Sequence, residues 1–510
     1  VYYLYGGCYR GVSTGNIYVE YGSSRLYRGS YTRIRGGGHD IERENPVADA
    51  TGNRLEIKIL SGAVLSEVYG ATNSMLHCDD IYVTVEKGAR VLNSVSGGTS
   101  TSRGDILSRP ANGFAIRGKQ YTANSNIHVE FNGDGRKDSD HLYSASVYGG
   151  GIYGNVIGKI DIMVNGDVEY VYGGSSSGDV TGDINIDING GVHAGGHNAD
   201  AVIGDVTGNW YGGTVTSGCM SGMVTGNITT RINKGASVHT VIGGSDDGGV
   251  NGDTNVHVYG TILKDKYQKA NRFLSGAGSV FGGGYLGSSA AIDSTDVSGT
   301  ASVYVYEGSD VQGDVYGGGL TARVSGKTHV IVSGTVRGDV YGGGWLHEAS
   351  NQYGEIELGY VGDTYVELNG NASAQNVYGG GRIGNVHGNS IVLLKENARV
   401  NNVYGTGSAY TTFYNWGEEY TFGPIDTNTE GDVTIRLQNS AVVDDTIYGY
   451  EIVNIEDTPT KLLTGRADVN FINSNNSSVF KRVENADLVR VTDKSNVMID
   501  NDYKNNEQLV

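Results

Sequence analysis

A short glycine-rich motif recurs through this chain and constrains its fold more than any other feature. Gly338-Asp339-Val340-Tyr341-Gly342-Gly343-Gly344 is repeated at 313–319, and Val-Tyr-Gly-Gly-Gly returns at 147–151 and 377–381. The tyrosines of closely spaced copies are 24, 25 or 26 residues apart, in the pairs Tyr148 and Tyr172, Tyr316 and Tyr341, and Tyr378 and Tyr404. Self-similarity at a nearly fixed period indicates a repeat architecture rather than one globular core.

Each repeat contains short segments with the pattern of β-strands. Thr328 to Val332 and Thr335 to Tyr341 are rich in β-branched residues that alternate with polar ones. No segment of similar length has apolar residues at helical spacing. Since one repeat alone exposes unpaired backbone groups, it must pair in parallel with its neighbours. The sequence therefore predicts an all-β fold: a right-handed parallel β-helix of ~25-residue repeats, the hand following from the preference of parallel crossovers.

Composition and charge exclude several classes of function and partner. Glycine is 82 of 510 residues and proline only 4, and the glycines stand at fixed places between strands, so we expect order. The net charge of -19 argues against nucleic acid and anionic membranes as partners. No run approaches ~20 apolar residues, so no membrane insertion is expected within this segment. The chain begins at Val1 with a strand-like stretch, which predicts a processed chain or a fragment.

The repeat divides the chain into three parts. Residues 1–145 carry degenerate repeats with long loops, residues 146–450 are regular and glycine-rich, and residues 451–510 lose the glycines and are expected to form larger turns or a cap. Insertions at 285–298, 345–361 and 406–430 all follow the glycine corner. Loops inserted at one corner project from one side of such a fold, and that side is often the binding face.

The tyrosines of the motif are the first candidate binding residues. In Val336 to Tyr341 the valines share one parity and Tyr341 has the other, so inward valines predict outward tyrosines, stacked ~4.8 Å apart. Such a ladder either stabilises the repeats or forms a sugar- or protein-binding stripe together with aromatic residues on nearby loops. The ladder candidates are Tyr148, Tyr172, Tyr316, Tyr341, Tyr378 and Tyr404, and the loop candidates are Trp345, Trp416 and Tyr420.

Metal binding has two candidate segments. Asp134, Asp138 and Asp140 form one, and Asp246, Asp247 and Asp253 form the other. Ca²⁺ takes six to eight oxygen ligands from flexible loops, but neither segment matches an EF-hand or a Gly-Gly-x-Gly-x-Asp nonapeptide. The sequence therefore predicts no cofactor, with Ca²⁺ at one of these segments as the alternative. The three cysteines, Cys8, Cys78 and Cys219, are expected to be buried thiols rather than a disulfide framework or a zinc site.

Gly-Asp and Gly-Asn pairs precede many strands, as at Gly362-Asp363, Gly388-Asn389 and Gly431-Asp432. Asx side chains bond nearby backbone in turns and stack as ladders when they recur. We therefore expect these residues to hold the repeats together rather than to bind a ligand.

The recurring Val-Tyr-Gly-Gly-Gly and the Gly-Asp strand starts resemble those of right-handed parallel β-helix surface proteins, the adhesin-like repeat proteins of bacteria and archaea. The resemblance covers most of residues 146–450 and implies an extracellular or cell-surface protein. Its partners would be surface glycans or proteins of host or neighbouring cells. It fixes no ligand and no anchoring mode.

Two alternatives remain at the level of sequence. The same fold class includes polysaccharide lyases and glycoside hydrolases of the tailspike type, whose sites need converging carboxylates. Adjacent pairs such as Asp79 with Asp80 point to opposite faces of an extended strand, so we favour a non-enzymatic protein. The second alternative is a self-associating fibre subunit, because open ends of such a stack can pair head to tail.

The glycine corner gives a last expectation. Gly317, Gly342 and Gly379 directly follow a strand and turn the chain sharply, so we expect them to have backbone conformations that side chains disfavour. Replacing Gly342 with Val would then strain the repeat by roughly 1–3 kcal/mol.

Overall fold

The computed structural model describes residues 3–6, 13–23, 32–37, 50–71, 76–98, 122–135, 145–152, 154–193, 213–264, 278–285, 296–345, 359–415, 418–424, 427–473, 480–492 and 495. All the regular secondary structure in these ranges consists of β-strands. The strands belong to two compact units. The first unit is Val1–His239 with Ser245–Gly252, and the second is Thr240–Gly244 with Asp253–Val510.

The first unit contains strands in both long and very short forms. They are β1 (Tyr3–Tyr5), β2 (Ser13–Thr14), β3 (Ile17–Tyr21), β4 (Arg33–Arg35), β5 (Ala50–Ile59), β6 (Val64–Tyr69), β7 (Leu76–Val85), β8 (Arg90–Ser96), β9 (Thr122–Phe131), β10 (Ser146–Tyr148), β11 (Asn155–Ile157), β12 (Ile160–Val164), β13 (Asp167–Val168), β14 (Tyr170–Tyr172), β15 (Val180–Thr181), β16 (Ile184–Ile188), β17 (Gly191–Val192), β18 (Thr214–Thr216), β19 (Val224–Thr225), β20 (Ile228–Ile232), β21 (Ser237–Val238) and β23 (Val250–Asn251).

The second unit is more regular. Its strands are β22 (Thr240–Ile242), β24 (Thr254–Val258), β25 (Thr261–Ile262), β26 (Val280–Phe281), β27 (Ala301–Val305), β28 (Asp310–Val311), β29 (Val315–Tyr316), β30 (Thr328–Val332), β31 (Thr335–Val336), β32 (Val340–Tyr341), β33 (Thr364–Leu368), β34 (Ser373–Tyr378), β35 (Ser390–Leu394), β36 (Arg399–Tyr404), β37 (Thr411–Asn415), β38 (Glu418–Phe422), β39 (Val433–Gln438), β40 (Val442–Val443), β41 (Thr446–Tyr448), β42 (Ile452–Ile455), β43 (Thr458–Lys461), β44 (Ala467–Ile472), β45 (Arg482–Glu484) and β46 (Leu488–Thr492).

Within the first unit, equivalent strands of successive repeats pair in parallel. One sheet runs β1, β4, β6, β8, β10, β14 and β18, and the other runs β3, β5, β7, β9, β12, β16 and β20. The register shifts between Leu65 and Glu67 and between His77 and Asp80. These irregularities fall where the sequence repeat is degenerate.

Within the second unit the parallel pairing keeps its register from repeat to repeat. The glycine-corner sheet runs β22, β26, β29, β32, β34, β36, β41 and β45. The sheet of longer strands, which we call the second sheet, runs β24, β27, β30, β33, β35, β39, β44 and β46. Val303 pairs with Val330, and Val330 pairs with Val366, so like side chains lie over one another.

The alternating pattern of each strand decides which side chains form the core. In β30, Thr328, Val330 and Val332 are buried, and His329 and Ile331 are partly exposed on the opposite face. Neighbouring repeats bury the same positions, so the inward valines form a continuous column. Full burial of a side chain of this size is worth roughly 1.5–3 kcal/mol.

The predicted all-β class is confirmed, with long sheets of parallel strands. Antiparallel pairing is found in two hairpins, β37–β38 inside the 406–430 insertion and β42–β43 near the start of 451–510. The predicted division at residues 145 and 450 stays a prediction. Across the residues that the structure describes, no helix is long and apolar enough to cross a membrane.

The conformational explanation for the glycine corner is wrong. Gly317, Gly342 and Gly379 do not have φ in the left-handed region; that conformation occurs elsewhere in the repeat, as at Gly308 with φ of 84°. The corner glycines are needed because the next repeat approaches too closely. A Cβ on Gly342 would lie 2.9 Å from Thr364 Cβ and closer still to the Gly379 carbonyl oxygen.

Candidate functional site

The tyrosines of the motif stack as predicted. In the second unit the ring centroids of Phe281, Tyr316, Tyr341, Tyr378, Tyr404 and Tyr448 follow one another at 4.8, 4.9, 4.7, 4.5 and 4.7 Å, with ring planes within 8° of parallel. In the first unit Tyr148 stacks on Tyr172 at 5.0 Å. In-register strands place each ring directly over the next, which confirms the predicted ladder.

The prediction that the ladder faces solvent is wrong for its central rings. Tyr316, Tyr341 and Tyr378 are only 1%, 2% and 9% exposed. The predicted loop residue Trp345 is also buried, and its ring centroid lies 6.5 Å from that of Tyr316. The central ladder therefore has no open ring face for a ligand.

An arginine from a later repeat completes this cover. Arg382 Nη1 donates to Asp314 Oδ2 and to the Tyr316 hydroxyl, both at 3.2 Å. The Tyr316 hydroxyl in turn donates to Asp314 Oδ2 at 3.0 Å. The guanidinium carbon also lies 5.8 Å from the Trp345 ring centroid. Arg382 thus pairs a mostly buried carboxylate and covers the ladder at the same time.

Burial sets the protonation of the ladder. It raises the pKa of Tyr316 and of Tyr341 well above the usual value, and Asp314 and Asp339 respectively add to the effect. Burial, followed by the charge of Asp314, also raises the pKa of the Asp339 carboxyl. The phenols therefore stay neutral at physiological pH, and the ladder is a packed stack rather than an acid–base site.

The Gly-Asx positions form ladders between repeats. Asp363 Oδ1 accepts the backbone N–H of Asn389 at 2.9 Å, Asn389 Oδ1 accepts that of Asp432 at 2.8 Å, and Asp432 Oδ1 accepts that of Arg466 at 3.0 Å. Each side chain bonds the next repeat rather than its own turn. The structural role expected of these residues is confirmed.

A second group of aromatic side chains lies on the outer face of the second sheet. His257 stacks on Tyr304 at 4.8 Å, and Tyr259 stacks on Tyr306 at 4.1 Å. His257 Nδ1 and the Tyr306 hydroxyl are 2.9 Å apart, which links the two stacks. Tyr259 is 37% exposed and the other three are half-buried. We call these four residues the aromatic patch.

Sequence reasoning missed the aromatic patch, although a signal was present. In Val256-His257-Val258-Tyr259 and in 303–306 the valines take one parity and the aromatic residues the other. Because the valines are buried, the rings must face outward. The pattern occurs in two adjacent repeats and is absent from the glycine motif, so a search for the motif does not find it.

A polar network lies on the same outer face. The Glu367 carboxylate accepts from the Tyr365 hydroxyl at 2.6 Å and from Asn369 Nδ2 at 2.7 Å, and pairs with Lys395 Nζ at 2.9 Å. Ser333 donates to Asn369 Oδ1 at 2.6 Å. The pKa of Glu367 is lowered: burial opposes ionisation, but the contacts with Tyr365, Lys395 and Asn369 outweigh it. Glu367 is therefore an ionised, fully bonded anchor.

The other aromatic candidates have mixed positions. Tyr148, Tyr172 and Tyr404 are half-buried members of the stacks. Tyr420 lies in β38, where its backbone pairs with Phe413, and its side chain is outside what the structure describes. Trp416 lies outside the described residues.

The calcium candidates are described only in part. Asp138 and Asp140 lie outside the described residues, and Asp134, Asp246, Asp247 and Asp253 lie within them. Asp253 Oδ1 accepts the Thr300 backbone N–H at 2.7 Å, as a rung of a ladder. Among the described residues no three His, Cys, Asp or Glu side chains form a group that could hold a metal ion.

Asp134 instead lines a polar groove in the first unit. The groove has a volume of about 700 Å³ and runs over three successive turns of the chain, at 86–88, 132–134 and 165–167. Its side chains are amides and carboxylates with one lysine, Lys87. Glu86 is already paired with Lys58 at 2.9 Å and accepts the Ser61 N–H at 3.0 Å.

Comparison of the chain with protein-family models, with curated proteins and with solved structures found no match. The candidate function therefore depends on the geometry of the chain itself.

Proposed function

We propose that this chain is a right-handed parallel β-helix that acts outside the cell or on its surface as a non-enzymatic structural or adhesive protein. Its outer face presents a binding surface to glycans or to proteins of a host or neighbouring cell. The handedness rests on the strong preference of parallel crossovers. The surface location rests on the resemblance of the repeats to adhesin-like proteins.

The aromatic patch is the observation that carries this proposal. Parallel strands in register fix its backbone, and stacking against one another limits the motion of its rings. Aromatic side chains that are rigid and partly exposed contribute most to recognition surfaces, because they lose little conformational entropy on binding. The buried ladder supports this surface by holding successive repeats in line.

A glycan array and a panel of cell-surface proteins test the proposal. The purified chain should bind a defined subset of either, and the double variant Tyr259→Ala/Tyr306→Ala should bind less. Tyr18→Ala is the matched control, since Tyr18 is a 58% exposed tyrosine on a strand of the first unit. Reducing-sugar and unsaturated-product assays are run on the same polysaccharides. Turnover that one carboxylate substitution abolishes would instead favour a lyase or hydrolase, and sedimentation of long polymers would favour a fibre subunit.

A further inference from the structure

A lysine and an asparagine from adjacent repeats meet at one carboxylate in the polar network of the second sheet. The Lys395 N–H donates to the Leu368 carbonyl at 3.0 Å, so Lys395 lies beside Asn369, the residue that follows Leu368. Glu367 Oε1 pairs with Lys395 Nζ at 2.9 Å and accepts from Asn369 Nδ2 at 2.7 Å. The amine and the side-chain amide are therefore held against the same oxygen atom.

Two hydroxyl groups orient these side chains. The Tyr365 hydroxyl donates to the other carboxylate oxygen, Glu367 Oε2, at 2.6 Å, which leaves Oε1 for the amine and the amide. The Ser333 hydroxyl donates to Asn369 Oδ1 at 2.6 Å. A hydrogen bond at this oxygen stabilises the negative charge that forms there when a nucleophile attacks the amide carbon. The Asn369 amide is therefore polarised for attack by a nearby amine.

Apolar side chains lie on both sides of Glu367 along the stack. Its register partners are Ile331 in one adjacent repeat and Leu393 in the other. Leu393 is only 9% exposed and the Glu367 side chain 12%, so the carboxylate is largely shielded from water. Such shielding lowers the cost of moving a proton from the lysine to the carboxylate, because a neutral amine and a neutral acid replace two partly buried charges.

We propose that Lys395 and Asn369 form an intramolecular isopeptide bond that joins two adjacent repeats covalently. Glu367 takes a proton from the Lys395 ammonium, and the neutral amine attacks Asn369 Cγ while the C=O electron pair moves to Oδ1, where Ser333 donates. Glu367 passes its proton to Nδ2 and takes one from the attacking nitrogen. The Cγ–Nδ2 bond then breaks, and ammonia leaves with that last proton as ammonium. One C–N bond forms and one breaks, with no oxidant or reductant.

This modification goes beyond the proposed function, since it does not depend on what the chain binds. It would close the strand pair β33–β35 with a covalent bond on its outer face. The pair of Lys58 with Glu86 is the natural comparison. Its ions are also 2.9 Å apart, but Glu86 accepts the Ser61 backbone N–H where Glu367 accepts a side-chain amide. An ion pair without the amide has no carbon to attack.

Peptide mapping of the purified full chain tests the bond. Trypsin cleaves after Arg337, Arg382, Lys395 and Arg399, which separates 338–382, 383–395 and 396–399. A linked Lys395 is not cleaved, so 338–382 should appear joined to 383–399. The joined product should be lighter than its two parts together by one ammonia, and its fragment ions should place the link between Asn369 and Lys395.

Four variants, sampled at the same times after synthesis as the wild type, test the roles of the side chains. Lys395→Arg keeps the cation and should give no joined peptide. Glu367→Gln keeps the size of the side chain but accepts no proton, and should form the joined peptide about a hundredfold more slowly. Ser333→Ala removes the donor at Oδ1 and should also slow it about a hundredfold. Lys58→Arg is the control and should match the wild type.

Cyclisation of Asn369 onto the Gly370 nitrogen loses the same ammonia, so the joined peptide and not the mass alone decides. The Gly370 N–H donates to Glu396 Oε2 at 2.6 Å, which holds that nitrogen away from the amide. A cyclised Asn369 beside an unmodified Lys395 overturns the proposal. Free 338–382 throughout the wild-type digest overturns it too, as does a Glu367→Gln chain that links as fast as the wild type. Circular dichroism identifies any misfolded variant, and the wild-type digest then decides alone.

Discussion

The Gly342→Ala variant distinguishes two physical reasons for a glycine. Gly342 has no left-handed φ, so any cost must come from space. Its new Cβ would lie 2.9 Å from Thr364 Cβ, 3.0 Å from Val366 Cγ2, and closer still to the Gly379 carbonyl oxygen. Such distances are not found in real proteins, so one repeat must move away from the next.

The expected loss of stability follows from the contacts that this movement disturbs. Overpacking of a rigid site typically costs 1–3 kcal/mol. The movement also lengthens the hydrogen bonds from Gly342 N to the Tyr378 carbonyl at 2.9 Å and from Gly343 N to the Gly380 carbonyl at 3.0 Å. Each is worth about 1 kcal/mol. We expect Gly342→Ala to lower the free energy of unfolding by about 4 kcal/mol.

Gly308→Ala is the matched comparison. Gly308 has φ of 84° and would place its Cβ in open space, so the cost is conformational alone, about 1–2 kcal/mol. Urea unfolding, followed by circular dichroism and by tyrosine fluorescence, measures both variants. If Gly308→Ala proves the more damaging of the two, close approach is not the reason for the corner glycine and the argument is refuted.

Three further predictions concern buried polar groups. Arg382→Met leaves the Asp314 carboxylate without its guanidinium and should cost about 3 kcal/mol in urea unfolding, and Arg382→Met combined with Asp314→Asn should cost less than the sum of the single changes. Burial, reinforced by Asp247, raises the pKa of Asp246 to about 6. The contribution of the Asp246 carboxyl to stability is therefore fully present below its unfolded pKa of ~3.9 and is lost as pH rises through about 6. Asp246→Asn should stabilise the fold by up to about 3 kcal/mol at pH ~7.5 and should have no such effect at pH ~3.5. Burial raises the pKa of the Cys219 thiol to about 12, so it should react with a thiol reagent only after denaturant is added; fast labelling of this residue in the native protein would contradict its position.

The period and the ladder could be predicted from sequence because the same residue types recur at the same register. Tyr316 and Tyr341 are 25 residues apart and Tyr378 and Tyr404 are 26 apart, and parallel in-register pairing converts that spacing into stacking. The alternation of valines likewise fixes the core. The core and the ladder both follow from the sequence of one repeat, copied along the chain, so the sequence alone predicts them.

The burial of the ladder could not be predicted in this way. The Tyr316 ring is capped by Arg382, which lies 66 residues further along the sequence. Nothing within the repeat shows that the residue after the glycine triplet turns back over the rings of earlier repeats. For the same reason, the sequence predicts that the glycine requirement at Gly342 comes from its own backbone, although it comes from the carbonyl of Gly379 in the next repeat.

The reach of Arg382 has a consequence for how this stack comes apart. In a simple repeat array each unit interacts with its nearest neighbours alone, and unfolding can spread from an end one unit at a time. Arg382 bonds Tyr316 across the intervening repeat that contains Tyr341. Loss of any one of these three layers removes a contact of the other two. These three repeats should therefore unfold together in one cooperative step. Deleting one of them should lower the free energy of unfolding more than deleting a repeat elsewhere.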